Sequence, residues 1–211
     1  MIKSYVKVNN FSLLIIFITL LIVFTWLQQE YVAIPQLTNM PVVDDAVKGR
    51  LIENFYKYRW VGFLTAPLIL LLRITLTTLC LFIGGFFDEA MPKQNFRQWW
   101  NVVLKADIVM ILSSMVSCLL SVKYGAEHAM EISRYFSFAF LGNPKSTEQW
   151  VQIPLSALNV FEVCYWFFMS KLLSVQTGRG YWASFRFIMG SYGTGYLFYI
   201  VFVMFLVLYL I

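Results

Sequence analysis

The sequence predicts an all-α, polytopic integral membrane protein, a bundle of five transmembrane helices, and three observations carry that prediction. Apolar residues make up 60% of the 211 positions. Charged residues make up 13%, against about a quarter in a soluble domain. Mean hydropathy is +0.70. Together they exclude an ordinary water-soluble enzyme, a disordered chain and a small disulfide scaffold.

A bilayer core roughly 30 Å thick takes about 20 apolar residues at about 1.5 Å each. The stretches that meet this length, or nearly so, are Phe11–Leu27, Val61–Phe87, Val102–Val122, Gln152–Ser174 and Phe187–Ile211. Helices are required, because lipid leaves the backbone of an open sheet unsatisfied and the runs are too continuous for barrel strands. The first run follows Lys3 and Lys7 and leaves through Thr25-Trp26-Leu27-Gln28. No small-residue cleavage pattern is present there, so it is expected to stay as an uncleaved signal anchor. Val61–Phe87 is long enough to tilt or to pass the interface. Trp26, Trp60, Trp99, Trp100, Trp150 and Trp182 fall at expected span ends, where indole rings favour the headgroup level, and Trp166 lies within a span.

The connections carry little more. From residue 43 to 60, Val47, Leu51, Phe55 and Trp60 recur at helical spacing among charges, an amphipathic segment that either lies on the membrane or extends the second span. A surface helix is expected around Ala126–Phe140, closed by Gly142-Asn143-Pro144. No repeat or separate soluble domain interrupts residues 1–211, which read as a single membrane domain. Lys and Arg divide almost evenly between the two sides. However, Lys171, Arg179 and Arg186 lack acidic sequence neighbours, while Glu127, Glu131 and Glu148 lie opposite. That segregation puts the N-terminus in the cytoplasm.

The basic balance, net charge +5, is dispersed over short connections, which fits phospholipid contact and not nucleic acid. Cys80, Cys118 and Cys164 are isolated in apolar runs and read as buried filler. The one histidine, His128, falls in a loop. Zinc-protease, nucleophile-elbow and phosphate-loop patterns are absent, so no catalytic, metal or cofactor residues are assigned and the chain is not expected to be an enzyme.

The informative residues are ionisable ones inside spans. Arg73 lies near the middle of the second and Glu162 near the middle of the fourth, with Asp107 shallower in the third. A charge at the bilayer centre costs at least ~2.5–3.5 kcal/mol, so an Arg73–Glu162 pair is expected. Asn159, Tyr165, Thr77, Ser114, Ser117, Cys118 and Ser121 continue polar stripes from these residues. Arg73, Asp107, Asn159 and Glu162 thus form the candidate polar cluster. It is either a hydrated path for a proton, ion or small solute, or a buried clasp fixing helix register. In the last span, Gly190, Ser191, Gly193, Thr194 and Gly195 are candidates for close helix packing.

Gly84-Gly85, then Asn95-Phe96-Arg97-Gln98-Trp99-Trp100-Asn101-Val102-Val103, a span with Asn159 and Glu162, the turn Gly178-Arg179-Gly180 and the step Tyr181–Phe187 follow one another from Trp60 to Ile211. In this order the chain resembles the bacterial branch of the Yip (Rab-GTPase-interacting-protein-like) membrane family. The resemblance implies five spans with a cytoplasmic N-terminus in a bacterial plasma (inner) membrane. It also implies a non-enzymatic scaffold or accessory subunit that binds other membrane proteins or itself, within a transport or secretion assembly. The alternative from the residues is a small transporter or channel-like protein built around the polar cluster.

Overall fold

The computed structural model describes residues 9–39, 45–125, 136–137, 155–156 and 158–210, of which 89% are helical. Among the described residues there is no strand, only an isolated antiparallel bridge between Ser137 and Asn159. Four helical stretches are long and apolar enough to cross a membrane.

Helix α1 (Asn10–Gln28) begins at Asn9, whose side chain accepts from the Phe11 N–H. It continues through a π-helical turn, Gln29–Ala33, into α2 (Ile34–Thr38). Helix α3 (Asp45–Phe87) is a single helix of 43 residues, about 65 Å at 1.5 Å per residue and longer than a bilayer with its headgroups. The described part of the amphipathic segment is therefore a helical extension of the second span. Gln29 Nε2 donates to the Arg59 carbonyl at 3.1 Å and Glu30 pairs with Arg59 at 3.8 Å, tying α1 to α3 at this end.

The third span starts earlier than hydropathy indicates. Helix α4 (Phe96–Ala106) opens where Gln98 Oε1 accepts from the Asn95 N–H at 2.8 Å, half of a capping box. Helix α5 (Ile108–Tyr124) follows after a single turn residue, Asp107, that keeps right-handed helical dihedrals at φ −63° and ψ −9°. Trp99, which hydropathy places at the interface, is 1% exposed. It stacks on Phe187 with ring centres 5.4 Å apart and lies against Gly85, where a Cβ would come within 3.2 Å of the ring.

Helix α6 (Val160–Thr177) stands where the run Gln152–Ser174 was expected to cross. It is not among the four long apolar stretches. The physical reason is local: Asn159 is extended, so the helix starts only at Val160, and Glu162, Lys171 and Gln176 dilute what remains. Gly178, at φ +72°, ends α6 in the left-handed region that glycine enters without strain. Helix α7 (Tyr181–Ile188), a π-helical turn Met189–Gly193 and α8 (Thr194–Leu210) complete the chain. The expected surface helix at 126–140, apart from Phe136 and Ser137, and the turn at 142–144, lie outside the described residues, as does His128.

The core is continuous from Leu13 and Phe17 of α1 past Ile74 at the middle of α3 to the packed ends of α3, α4, α6 and α7, where Leu81, Val103, Met169, Leu173 and Ile188 are fully buried. A seam of small residues brings α3 against the start of α8. Gly84 meets Ser191, and a Cβ on Gly195 would lie 2.7 Å from Cys80 Sγ. Cys80 and Gly84, like Ser191 and Gly195, are one turn apart, so two small-residue ridges cross antiparallel. Gly195→Leu is expected to lower stability by ~1–3 kcal/mol through overpacking. Gly190→Ala, which meets nothing within 4 Å, should leave it unchanged. Thermal unfolding of both variants in one detergent checks the contrast.

Candidate functional site

Arg73 sits 13 residues after Trp60 and 14 before Phe87, near the midpoint of the membrane-length part of α3. Nothing on α3 can neutralise it, since the neighbouring turns are Leu, Ile and Thr. The partners come from two other helices. Arg73 Nη2 lies 3.6 Å from Glu162 Oε2 and 3.9 Å from Asp107 Oδ1. Its guanidinium carbon is 4.9 Å from the centre of the Tyr165 ring, a cation–π contact that adds a neutral wall.

The two carboxylates are held differently. Glu162 lies in the first turn of α6, where the helix dipole favours negative charge. Asn159 Oδ1 caps that turn by accepting from the Glu162 N–H at 2.8 Å, and the Val160 N–H donates to the Phe136 carbonyl at 2.9 Å. Glu162 Oε1 accepts from Tyr192 Oη at 2.8 Å and from Trp166 Nε1 at 2.9 Å. Its other oxygen faces Arg73 Nη2 at 3.6 Å, an ion pair beyond hydrogen-bond reach.

Asp107 lacks donors of this kind. It is the single turn residue between α4 and α5, and its carbonyl accepts from the Met110 and Ile111 N–H groups. Its side chain is 0% exposed, and neither carboxylate oxygen takes a hydrogen bond among the described residues. The Tyr165 hydroxyl, also buried, is likewise unpartnered there. Burying a carboxylate without donors is expensive, and Arg73 is the compensation at hand. With all groups ionised, one guanidinium faces two carboxylates and the centre carries a formal charge of −1, so one proton would neutralise it.

Of the residues singled out from sequence, Arg73, Asp107 and Glu162 converge. Asn159 is close but its side chain is engaged in capping the helix. Two hydroxyls of the stripes turn back on their own helix: Ser114 donates to the Met110 carbonyl and Ser121 to the Ser117 carbonyl. Among the glycine-rich candidates, Ser191 and Gly195 pack against α3, Gly190 has no neighbour within 4 Å, Gly193 is nearest to Met189 and Ile188 of its own chain, and Thr194 is exposed. Tyr192 was not apparent from sequence. A tyrosine between glycines at the depth of Glu162 is the signal that marks it, and the π-helical turn delivers its hydroxyl to the carboxylate.

Comparison with family models, with curated proteins and with solved structures gives no match.

Arg73→Leu leaves two carboxylates without their counter-ion and should cost about 3–5 kcal/mol. Combining it with Asp107→Asn and Glu162→Gln should recover much of that loss, because coupled groups are not additive. Reversible unfolding in bicelles measures both; equal losses in the single and triple variants would show that the charges are not coupled.

Proposed function

We propose that the protein is a small proton-conducting, channel-like transport protein of a bacterial plasma membrane, with the N-terminus in the cytoplasm and α6 as the fourth of five transmembrane helices. Asp107 is the proton-binding group and Arg73 the element that responds to it. One observation carries this reading: two carboxylates share a single guanidinium, and one of them lacks hydrogen-bond donors. The surroundings support it. Helical geometry departs from the regular α form in three places, at the turn residue Asp107, at the extended Asn159 before α6 and in the π-helical turn Met189–Gly193. π-Helical turns inside α-helices recur at functional sites. Protonation of Asp107 removes one of the two attractions on Arg73 and leaves Glu162 holding it, which biases α4 and α5 against α3 and α6.

A second reading, drawn from the Yip-like resemblance, is a non-enzymatic scaffold or accessory subunit that binds other membrane proteins or itself. It is favoured by the hydroxyls that fold back on their own helices and by the position of the cavities. Those of about 460 and 620 Å³ are lined by residues outside the charged centre.

Reconstituted liposomes carrying a pH-sensitive dye separate the two. Under an imposed pH gradient and potential, the wild-type protein is expected to dissipate the gradient, and Asp107→Asn to fall to the leak of empty vesicles. Wild-type vesicles no leakier than empty ones would remove the transport reading and leave the scaffold.

A further inference from the structure

At the end of α3, opposite the α6–α7 turn, a cleft of about 460 Å³ opens between Gly84, Asp88, Arg179, Arg186, Phe187 and Gly190. We propose that this cleft binds the headgroup of an anionic phospholipid, with Arg186 as the principal phosphate ligand. The inference stands apart from the charged centre and does not depend on the transport reading.

The charges in the cleft do not cancel. Arg179 Nη1 is taken by Asp88 Oδ2 at 2.9 Å and also touches Met91 Sδ. The Arg186 side chain lines the same cleft and makes no ion pair or hydrogen bond with any described residue. The three ionised side chains therefore leave one positive charge, and it resides on Arg186. A guanidinium offers a planar fork of donors that matches phosphate oxygens. Gly190 keeps the floor open, since a Cβ there would meet nothing within 4 Å.

The depth selects a lipid as the source of that phosphate. The stretch Tyr181–Tyr209 has 29 residues, about 43 Å of helix, which exceeds the hydrocarbon core and puts its first turns in the headgroup layer. Trp182 is exposed on α7, as indoles at that level commonly are. Phe87, which also lines the cleft, is 83% exposed, and Phe86 beside it is exposed as well. A molecule with its phosphate on Arg186 thus has apolar surface for its acyl chains immediately alongside. Two arginines and a tryptophan at this level also fit the general attraction of basic residues to anionic leaflets. A walled cleft adds a defined position to it.

The test compares nanodiscs of phosphatidylcholine with nanodiscs containing phosphatidylglycerol. Phosphatidylglycerol is expected to raise the apparent Tm of the wild-type protein by about 5 °C. Arg186→Gln should lose that shift, Arg186→Lys should keep part of it, and Lys57→Gln, at the far end of α3, should keep it whole. Gly190→Leu, which fills the cleft but retains both arginines, should also lose it and covers the case in which Arg186→Gln is poorly folded. The proposal is overturned if Arg186→Gln and Gly190→Leu both retain the full shift. It is equally overturned if inorganic phosphate or glycerol phosphate added to phosphatidylcholine nanodiscs reproduces it, which would make the cleft a soluble-anion site.

Discussion

Arg73 lies near the midpoint of a helix long and apolar enough to cross a membrane, and a low-dielectric surrounding there obliges the protein to answer its charge. The insertion cost of such a residue, ~2.5–3.5 kcal/mol even by the mildest scales, is comparable to a substantial part of a membrane protein's stability. Two carboxylates from different helices meet it, and their placement dictates much else. Glu162 comes from the first turn of α6 and Asp107 from the turn residue between α4 and α5. The aromatic wall of Tyr165 and the hydroxyl of Tyr192 then follow from the need to surround and satisfy these groups.

The clasp and the tight packing occupy different levels of the same molecule. Towards the ends of α3, α4 and α6, Trp99, Phe187 and Gly85 interlock, and the crossing of Cys80 and Gly84 with Ser191 and Gly195 lets backbones approach. Arg179 and Asp88 close that end with a short ion pair. Nearer the centre the ion pairs are set among buried apolar side chains of the same core, Leu70, Ile74, Ala106 and Ile111.

Much of this was legible in the residues, and the exceptions have physical causes. A lone arginine and a lone glutamate in apolar runs of similar length identify themselves, because hydrocarbon forbids leaving either unpaired. The start of α6 was obscured by the surrounding apolar run. The spacing of Asn159 and Glu162 is nevertheless that of a capping signature, and Asn95 and Gln98 repeat it at the start of α4. The turn at Asp107 has no glycine or proline to announce it, and tertiary contact alone explains its position. Trp99 followed the opposite course: tryptophan near a span end normally marks the interface, but a glycine opposite it made room for burial. The small residues from Gly190 to Gly195 predicted close approach, and the π-helical turn then decided which of them face α3.

Solid-state NMR in lipid bilayers addresses the central interaction most directly, using guanidino-¹⁵N arginine with ¹³C-carboxyl aspartate and glutamate, and an Arg73→Lys sample to assign the resonance. The account predicts that the Arg73 nitrogens are dipolar-coupled to one aspartate and one glutamate carboxyl, consistent with the 3.9 and 3.6 Å separations from Asp107 and Glu162. Coupling to lipid ³¹P, with neither carboxyl within range, would place the guanidinium at the headgroups and contradict it.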